Sequence, residues 1–150
     1  MTATELPISV EEALLAPLVT WLASRRWIRF DSRLVTELPW NGRRIDVATL
    51  TRTGVSTAYE LKLSDTRRAL QQASLNGMSF DRSFVVTTSK TSPSNIDQAA
   101  SLGIGVIHVR PATGEVDLML RPAQQVIDPV VRSRLRAKLI SRPAGGFDVW

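Results

Sequence analysis

The chain contains no cysteine and only one histidine, His108, among its 150 residues. Without cysteine there is neither a disulfide framework nor a thiolate zinc site. One histidine leaves little room for a histidine-rich metal centre or a Ser-His-Asp triad, and we interpret His108, at the end of a buried strand, as a hydrogen-bonded structural residue. Any metal is therefore expected to be held by carboxylate and carbonyl oxygens, which suit Mg²⁺ or Mn²⁺ rather than zinc.

Long apolar runs are also missing. No stretch approaches the roughly 20 apolar residues that cross a bilayer, and the N-terminal MTATELPISVEE lacks the basic start and apolar core of a signal peptide. We therefore expect a cytoplasmic protein with no membrane partner. The formal charge of +5 is compatible with a nucleic-acid partner, because counterion release contributes much of the affinity for phosphate backbones. A charge of this size does not by itself identify one.

The most informative stretch runs from Glu37 to Gln72. Asn41-Gly42 predicts a type I′ hairpin turn, because both central positions of that turn need φ > 0. The turn would place Glu37 opposite Asp46, with Cβ atoms about 5 Å apart, and two facing carboxylates destabilise a sheet. A metal ion is the natural compensation. The same turn would pair Trp40 with Arg43, Pro39 with Arg44 and Leu38 with Ile45.

A second hairpin is predicted from strand-like runs at 44–50 and 57–63, joined by residues 51–55. A turn centred near Thr53 would put Asp46 opposite Glu60. Because side chains alternate along a strand, Glu60 and Lys62 would point to one face and Tyr59, Leu61 and Leu63 to the other. The acids would then converge with Lys62, provided that neither hairpin slips by one residue.

Asp46, a hairpin and then Glu60-Leu61-Lys62 resemble the PD-(D/E)XK phosphodiesterase superfamily of restriction-endonuclease-like nucleases. The resemblance covers roughly residues 10–110, in the family order of helix, three strands, helix and strand. Leu70-Gln71-Gln72-Ala73 is similar to the glutamine-bearing helix of that family, and residues 80–86 look like its next core strand. Ile45 precedes Asp46 where the family name has proline, as in many members.

The resemblance implies one α/β domain over residues 1–150, with a restriction-endonuclease-like αβββαβ core and a mixed sheet flanked by helices. The core would cover about 9–122, including further strands at 104–109 and 115–120 and a short helix at 96–102. A basic C-terminal helix would follow at about 129–142, and a loose tail at 143–150. That helix could be packed on the sheet with a solvated charged face, could grip DNA, or could form a homodimer.

The activity implied by the resemblance is metal-dependent hydrolysis of phosphodiester bonds in DNA by an endonuclease. Asp46, Glu60 and the Leu61 backbone carbonyl would ligate Mg²⁺, with Mn²⁺ as a substitute. Glu37 or Glu11 would bind directly, through water, or at a second ion. Lys62 would orient or help to deprotonate the attacking water. The ordinary alternative for Glu60 and Lys62 is a surface strand of alternating charge.

Glu11 belongs to a helix predicted from Val10 to about Ser24, with Ser9 as N-cap and Glu12 completing a capping box. It shares the apolar stripe of Leu14, Leu18 and Leu22. A glutamate there either faces the metal site, as in nuclease relatives, or is a first-turn acid that favours the helix dipole and stays solvated. The sequence leaves both interpretations open.

Candidate nucleic-acid contacts surround these acids. Arg43 and Arg44 flank the first turn, and Arg67 and Arg68 begin a helix predicted between Ser64 and Gly77, with Ala69, Leu70, Ala73 and Leu75 on its buried side. For Arg67 and Arg68 taken singly, a solvated basic turn is at least as good an explanation. Gln72 would touch a nucleotide or an ordered water, and Gln71 would replace it if the helix were rotated by one position.

Residues 25–30, RRWIRF, mix cations with aromatics, which is typical of surfaces that follow a phosphate backbone. The commoner explanation is a strand whose Trp27 and Phe30 pack in the core. Two further functions stay open. One is a binding or regulatory module that holds nucleic acid without cutting it, and the other is a nuclease subunit that depends on a partner protein for targeting.

Overall fold

A computed structural model describes residues 12–63 and 66–142. A 3₁₀ turn at Glu12–Leu14 precedes the first helix. The α-helices are α1 (Leu15–Ser24), α2 (Thr66–Asn76), α3 (Pro93–Leu102) and α4 (Pro129–Ser141). The strands are β1 (Arg33–Trp40), β2 (Arg43–Leu50), β3 (Ser56–Lys62), β4 (Arg82–Thr87), β5 (Gly105–Arg110) and β6 (Glu115–Leu120). None of these described helices is both long and apolar enough to cross a membrane.

The six strands form one open mixed sheet in the order β1-β2-β3-β4-β5-β6. Strands β3, β4 and β5 are parallel, with α2 and α3 as their crossovers, and the remaining neighbours are antiparallel. This confirms the predicted α/β class with a mixed sheet. Because β3, β4 and β5 run in the same direction, their carboxyl ends meet at one edge of the sheet.

Helices cover both faces of the sheet. The α1 face is buried by Leu18 and Leu22, which pack in one cluster with Tyr59, Leu61 and Phe84. On the other face, α4 packs over β1 and β2, α2 packs over β3 and β4, and α3 packs over β5. Leu135 and Leu139 are the residues of α4 that enter the core, so the prediction of a helix packed on the sheet is confirmed.

The expected strand at 25–30 is wrong. Helix α1 is closed by a turn in which Arg26 has φ 60° and the Trp27 N–H donates to Leu22 O at 2.9 Å. The chain reaches the sheet only at Arg33. Trp27 does pack on Trp21 and Phe84, whereas Phe30 is 79% exposed and belongs to no core cluster of the described residues.

Other bounds differ by small amounts that local chemistry explains. Helix α3 begins three residues before the predicted 96, because Ser92 caps it and Pro93 fits its first turn. Strand β6 has the predicted bounds, and Asp128 caps α4. Some predicted features lie outside the described residues: the Ser9 cap, Glu11, the Ser64 cap and the loose tail at 143–150.

Candidate active site

Asp46 lies on β2 just beyond the last paired residues of the β2–β3 ladder. That ladder runs from Leu50↔Ser56 to Val47↔Tyr59, which is the predicted register. The Asp46 Oδ2 atom then accepts the Leu61 N–H at 2.8 Å. The Asp46 carboxylate thus accepts the hydrogen bond that a backbone carbonyl of β2 would accept if the ladder continued. This contact holds the carboxylate beside the backbone of β3 that carries Glu60.

Glu60 is a buried acid, only 3% exposed. Its Oε1 atom accepts a hydrogen bond of 2.8 Å from Asn76 Nδ2. Burial, followed by the nearby Asp46 charge, raises the pKa of Glu60 to about 8, although the Asn76 hydrogen bond and the Lys62 charge lower it. Without a metal ion, Glu60 therefore favours its protonated form at neutral pH.

Lys62 ends β3, two residues after Glu60, and is partly buried. Its neighbour across the parallel pair is Thr87, and Thr87 in turn pairs with His108. His108 Nε2 lies 2.9 Å from Thr88 O, a hydrogen-bonded position that agrees with its structural interpretation. The carboxyl edge of the sheet therefore carries the acid pair and the Lys62 ammonium group together.

The first hairpin keeps the predicted register, but Glu37 does not join this group, so its predicted convergence with Asp46 and Glu60 is wrong. The β1–β2 ladder pairs Thr36 with Val47 and Leu38 with Ile45 but skips the two acids between them. Glu37 has φ 53°, and this left-handed conformation turns its side chain away. The Glu37 carboxylate, 66% exposed, lies 3.8 Å from the Arg44 guanidinium instead.

Across residues 12–63 and 66–142, no three acidic or histidine side chains come together as a metal cluster. The donor set at this edge is Asp46, Glu60 and backbone oxygen. In a strand, the N–H and C=O of one residue point to the same side. Because the Leu61 N–H bonds to Asp46, the Leu61 carbonyl also points toward β2, where the ladder has ended. Two carboxylates and a carbonyl suit Mg²⁺, which usually keeps several waters and takes one or two protein carboxylates.

Asn76 is a site residue that the sequence interpretation missed. It lies on the same stripe of α2 as Ala69 and Ala73 and is fully buried, whereas Leu75, predicted on the buried side, is 48% exposed. The sequence does contain a signal for Asn76, because a polar residue three positions after Ala73 and just before Gly77 falls on the buried stripe of the helix. Its position brings a hydrogen-bond donor from the helix to the buried acid on the sheet.

The predicted nucleic-acid contacts are spread around this edge. Arg43 Nη1 donates to Gln72 O at 3.4 Å, which ties the first hairpin to α2. Gln72 Oε1 is buried and has no hydrogen-bond partner among the described residues. Arg67 and Arg68 are exposed on the first turns of α2, and Arg44 is the cation that faces Glu37. Gln71 is exposed.

Neither a protein-family model nor a curated protein matches this chain. Among solved structures it is similar to a protein of unknown function from Silicibacter pomeroyi, with a TM-score of 0.67 and 20% identity, over 91% of this chain and 87% of that one. A repair endonuclease from Pyrococcus abyssi has a TM-score of 0.49 and 18% identity, over 71% of this chain and 50% of that one. SfsA from Pyrococcus furiosus, in complex with Ca²⁺, has a TM-score of 0.37 and 12% identity, over 79% and 62%. The first of these likenesses shows a shared fold.

Proposed function

We propose that the protein is a Mg²⁺-dependent nuclease of the PD-(D/E)XK type that hydrolyses phosphodiester bonds in DNA. One observation carries the proposal. The Asp46 carboxylate is fixed on the Leu61 N–H, beside buried Glu60, with Lys62 two residues further along the same strand. Holding two carboxylates close together, partly shielded from water, is unfavourable without a metal ion. A bound divalent cation would remove this unfavourable interaction.

Each residue of the group has a part that follows from its contacts. Asp46, held by the Leu61 N–H, and Glu60, held by Asn76, would present preoriented oxygen ligands together with the Leu61 carbonyl. When bound, Mg²⁺ would neutralise a phosphate oxygen and lower the pKa of a coordinated water. The Lys62 ammonium group would donate to the attacking water and to the charge that develops on the phosphate.

The surrounding cations support a polyanionic substrate. Arg43 is anchored to α2, and Arg67 and Arg68 are exposed on the first turns of that helix. Contacts of this kind to phosphates carry no sequence information. We therefore expect little sequence preference from the chain alone, with target choice supplied by a second copy or by a partner protein.

The test is incubation of the purified protein with supercoiled plasmid, linear duplex and single-stranded DNA, each with Mg²⁺, Mn²⁺ or EDTA. We expect cutting only with metal. Asp46→Ala, Glu60→Gln and Lys62→Ala should each lower the rate by about 10³-fold. Asp97→Asn is the matched control, because it removes an exposed carboxylate on α3 and should leave the rate unchanged.

Two outcomes would contradict the proposal. Metal-dependent cutting that survives both Asp46→Ala and Lys62→Ala would mean a contaminant or a different site. DNA binding without cutting under every metal condition would favour the non-cleaving module.

A further inference from the structure

A second polar site, here called the arginine cleft, opens at the other end of β2 and β3 from the acid pair. Two adjoining cavities of about 160 and 300 Å³ form it. Both are lined by Arg26, Trp27, Thr51 and Thr53. The smaller cavity also meets Arg82, and the larger one meets Arg29, Arg52 and Asp31.

The arginine cleft is separate from the proposed nuclease site. Its floor includes Tyr59 and Phe84, which belong to the core cluster on the α1 face of the sheet. Glu60 instead meets Asn76 of α2 on the opposite face. The two residues that β3 contributes to the lining, Thr57 and Tyr59, alternate onto the α1 face, opposite to Glu60.

The charge of the arginine cleft is unbalanced. Four arginines and the single carboxylate of Asp31 leave a formal charge of +3 at its lining. Within residues 12–63 and 66–142, none of these four arginines makes a salt bridge or a side-chain hydrogen bond. Like charges that outnumber their counterions repel one another, and a bound anion would reduce this repulsion.

The backbone conformation of Arg26 is a second observation that favours an anion site. Its φ of 60° places it in the left-handed position that follows a helix, where glycine is the usual residue. An L-residue there costs roughly 1–2 kcal/mol relative to its ordinary conformation. The chain nevertheless has an arginine at this position, and its side chain lines both cavities. A function for the guanidinium would explain why the strain is kept.

We propose that the arginine cleft binds a multiply charged phosphate group, of the kind carried by a nucleotide or by the 5′ end of a nucleic acid. Guanidinium groups present paired N–H donors that match phosphate oxygens. The hydroxyl groups of Thr51 and Thr53 add neutral donors at the same lining. A net charge of +3 suits a phosphate monoester or diphosphate better than a single carboxylate.

Isothermal titration calorimetry in EDTA tests the proposal without involving the metal site. The probes are pyrophosphate, AMP, and a short oligonucleotide with and without a 5′-phosphate. We expect the phosphate-bearing probes to bind, and Arg26→Gly to weaken binding by about tenfold or more, as expected for one lost charge-assisted contact. Arg26→Gly should keep or raise the thermal stability, because glycine removes the backbone strain.

Arg82→Gln is the second variant and should weaken the same probes. Lys90→Ala removes one exposed positive charge near the carboxyl edge of the sheet and should bind like the wild type. Binding of the 5′-phosphorylated oligonucleotide but not of AMP would identify a nucleic-acid end as the source of the phosphate. Equal binding of both oligonucleotides, no binding of any phosphate probe, or wild-type binding by Arg26→Gly would overturn the proposal.

Discussion

Two buried acids, Glu60 and Asp81, lie on neighbouring strands or at their ends and are 3% and 1% exposed, but their surroundings differ. Asp81 Oδ2 accepts the Ser56 N–H at 2.9 Å and the Ser56 hydroxyl at 3.3 Å, and its Oδ1 atom pairs with Arg132 of α4. Glu60 receives one amide hydrogen bond and faces a second carboxylate. Buried charges are normally compensated as Asp81 is. The incomplete compensation of Glu60 is therefore what distinguishes a candidate functional acid from a structural one.

The largest expected effect is the pH dependence of stability caused by Glu60. Its pKa is about 8 in the folded protein, against an ordinary value of 4.5, so the folded state binds the proton more tightly than the unfolded state. This contribution to stability is therefore fully present below about pH 4.5 and is lost as the pH rises through 8, by roughly 5 kcal/mol in all at 1.36 kcal/mol per pKa unit. Glu60→Gln removes this loss, and urea unfolding of both proteins in EDTA at pH 5 and pH 8 measures most of it.

If Glu60→Gln is no more stable than the wild type at pH 8, Glu60 is compensated like Asp81 and the comparison fails. A second measurement compares melting temperatures with and without Mg²⁺. The ion should raise the melting temperature of the wild type at pH 8 but not that of Glu60→Gln. This difference follows because a ligand stabilises only the protein that binds it.

Asp81→Ala is expected to destabilise the protein, whereas Glu60→Gln is expected to stabilise it at pH 8. The substitution leaves the two Ser56 donors without their acceptor and releases Arg132 from the buried ion pair. We expect a loss of about 3 kcal/mol, from unsatisfied buried donors and the lost tie to α4. Arg132 is 45% exposed, so solvent will recover part of its charge interaction. Urea unfolding at pH 7 gives the value, and a loss below about 1 kcal/mol would mean that Asp81 is dispensable.

Asn76→Ala sharpens the comparison by removing the side-chain amide that donates to Glu60. The amide hydrogen bond lowers the pKa of Glu60, so its removal should raise that pKa further. The variant should lose about 1–3 kcal/mol, with the larger loss at pH 8, where Glu60 is more ionised. Unfolding at pH 5 and pH 8 separates this pH-dependent part from the packing cost, which is the same at both values. Equal losses at the two pH values would place Asn76 outside the site.

Local chemistry accounts for the hairpin registers and the strand alternation that the sequence predicted correctly. Asn41-Gly42 forces one turn geometry, and the register of the second hairpin then follows from the length of the Thr51–Val55 connection. Both Tyr59 and Leu61 pack on the α1 face, as strand alternation requires. These features depend on residues within a few positions of one another.

The error at Glu37 has a different origin. Val35, Leu38 and Trp40 all pack in one cluster, although strict alternation would put Val35 and Leu38 on opposite faces. The left-handed Glu37 between them resolves the conflict by shifting the phase of the strand. Local preference does not predict this conformation for a glutamate, because tertiary packing imposes it. Asn76 was missed for a related reason, since its contact depends on the rotation of α2 over the sheet.

Glu37→Gln is expected to have the smallest effect of these substitutions, and it compares an exposed acid with the buried Glu60. Its carboxylate is 66% exposed and pairs at 3.8 Å with an Arg44 that is 67% exposed. Exposed pairs of this kind contribute about 0–1 kcal/mol, so unfolding should be almost unchanged. Glutamine keeps the side-chain length and the left-handed backbone, and DNA cleavage should stay within about twofold of the wild type. A loss comparable with that of Glu60→Gln would mean that Glu37 turns toward the metal when substrate binds, and that exposure in this structure does not separate bystander acids from functional ones.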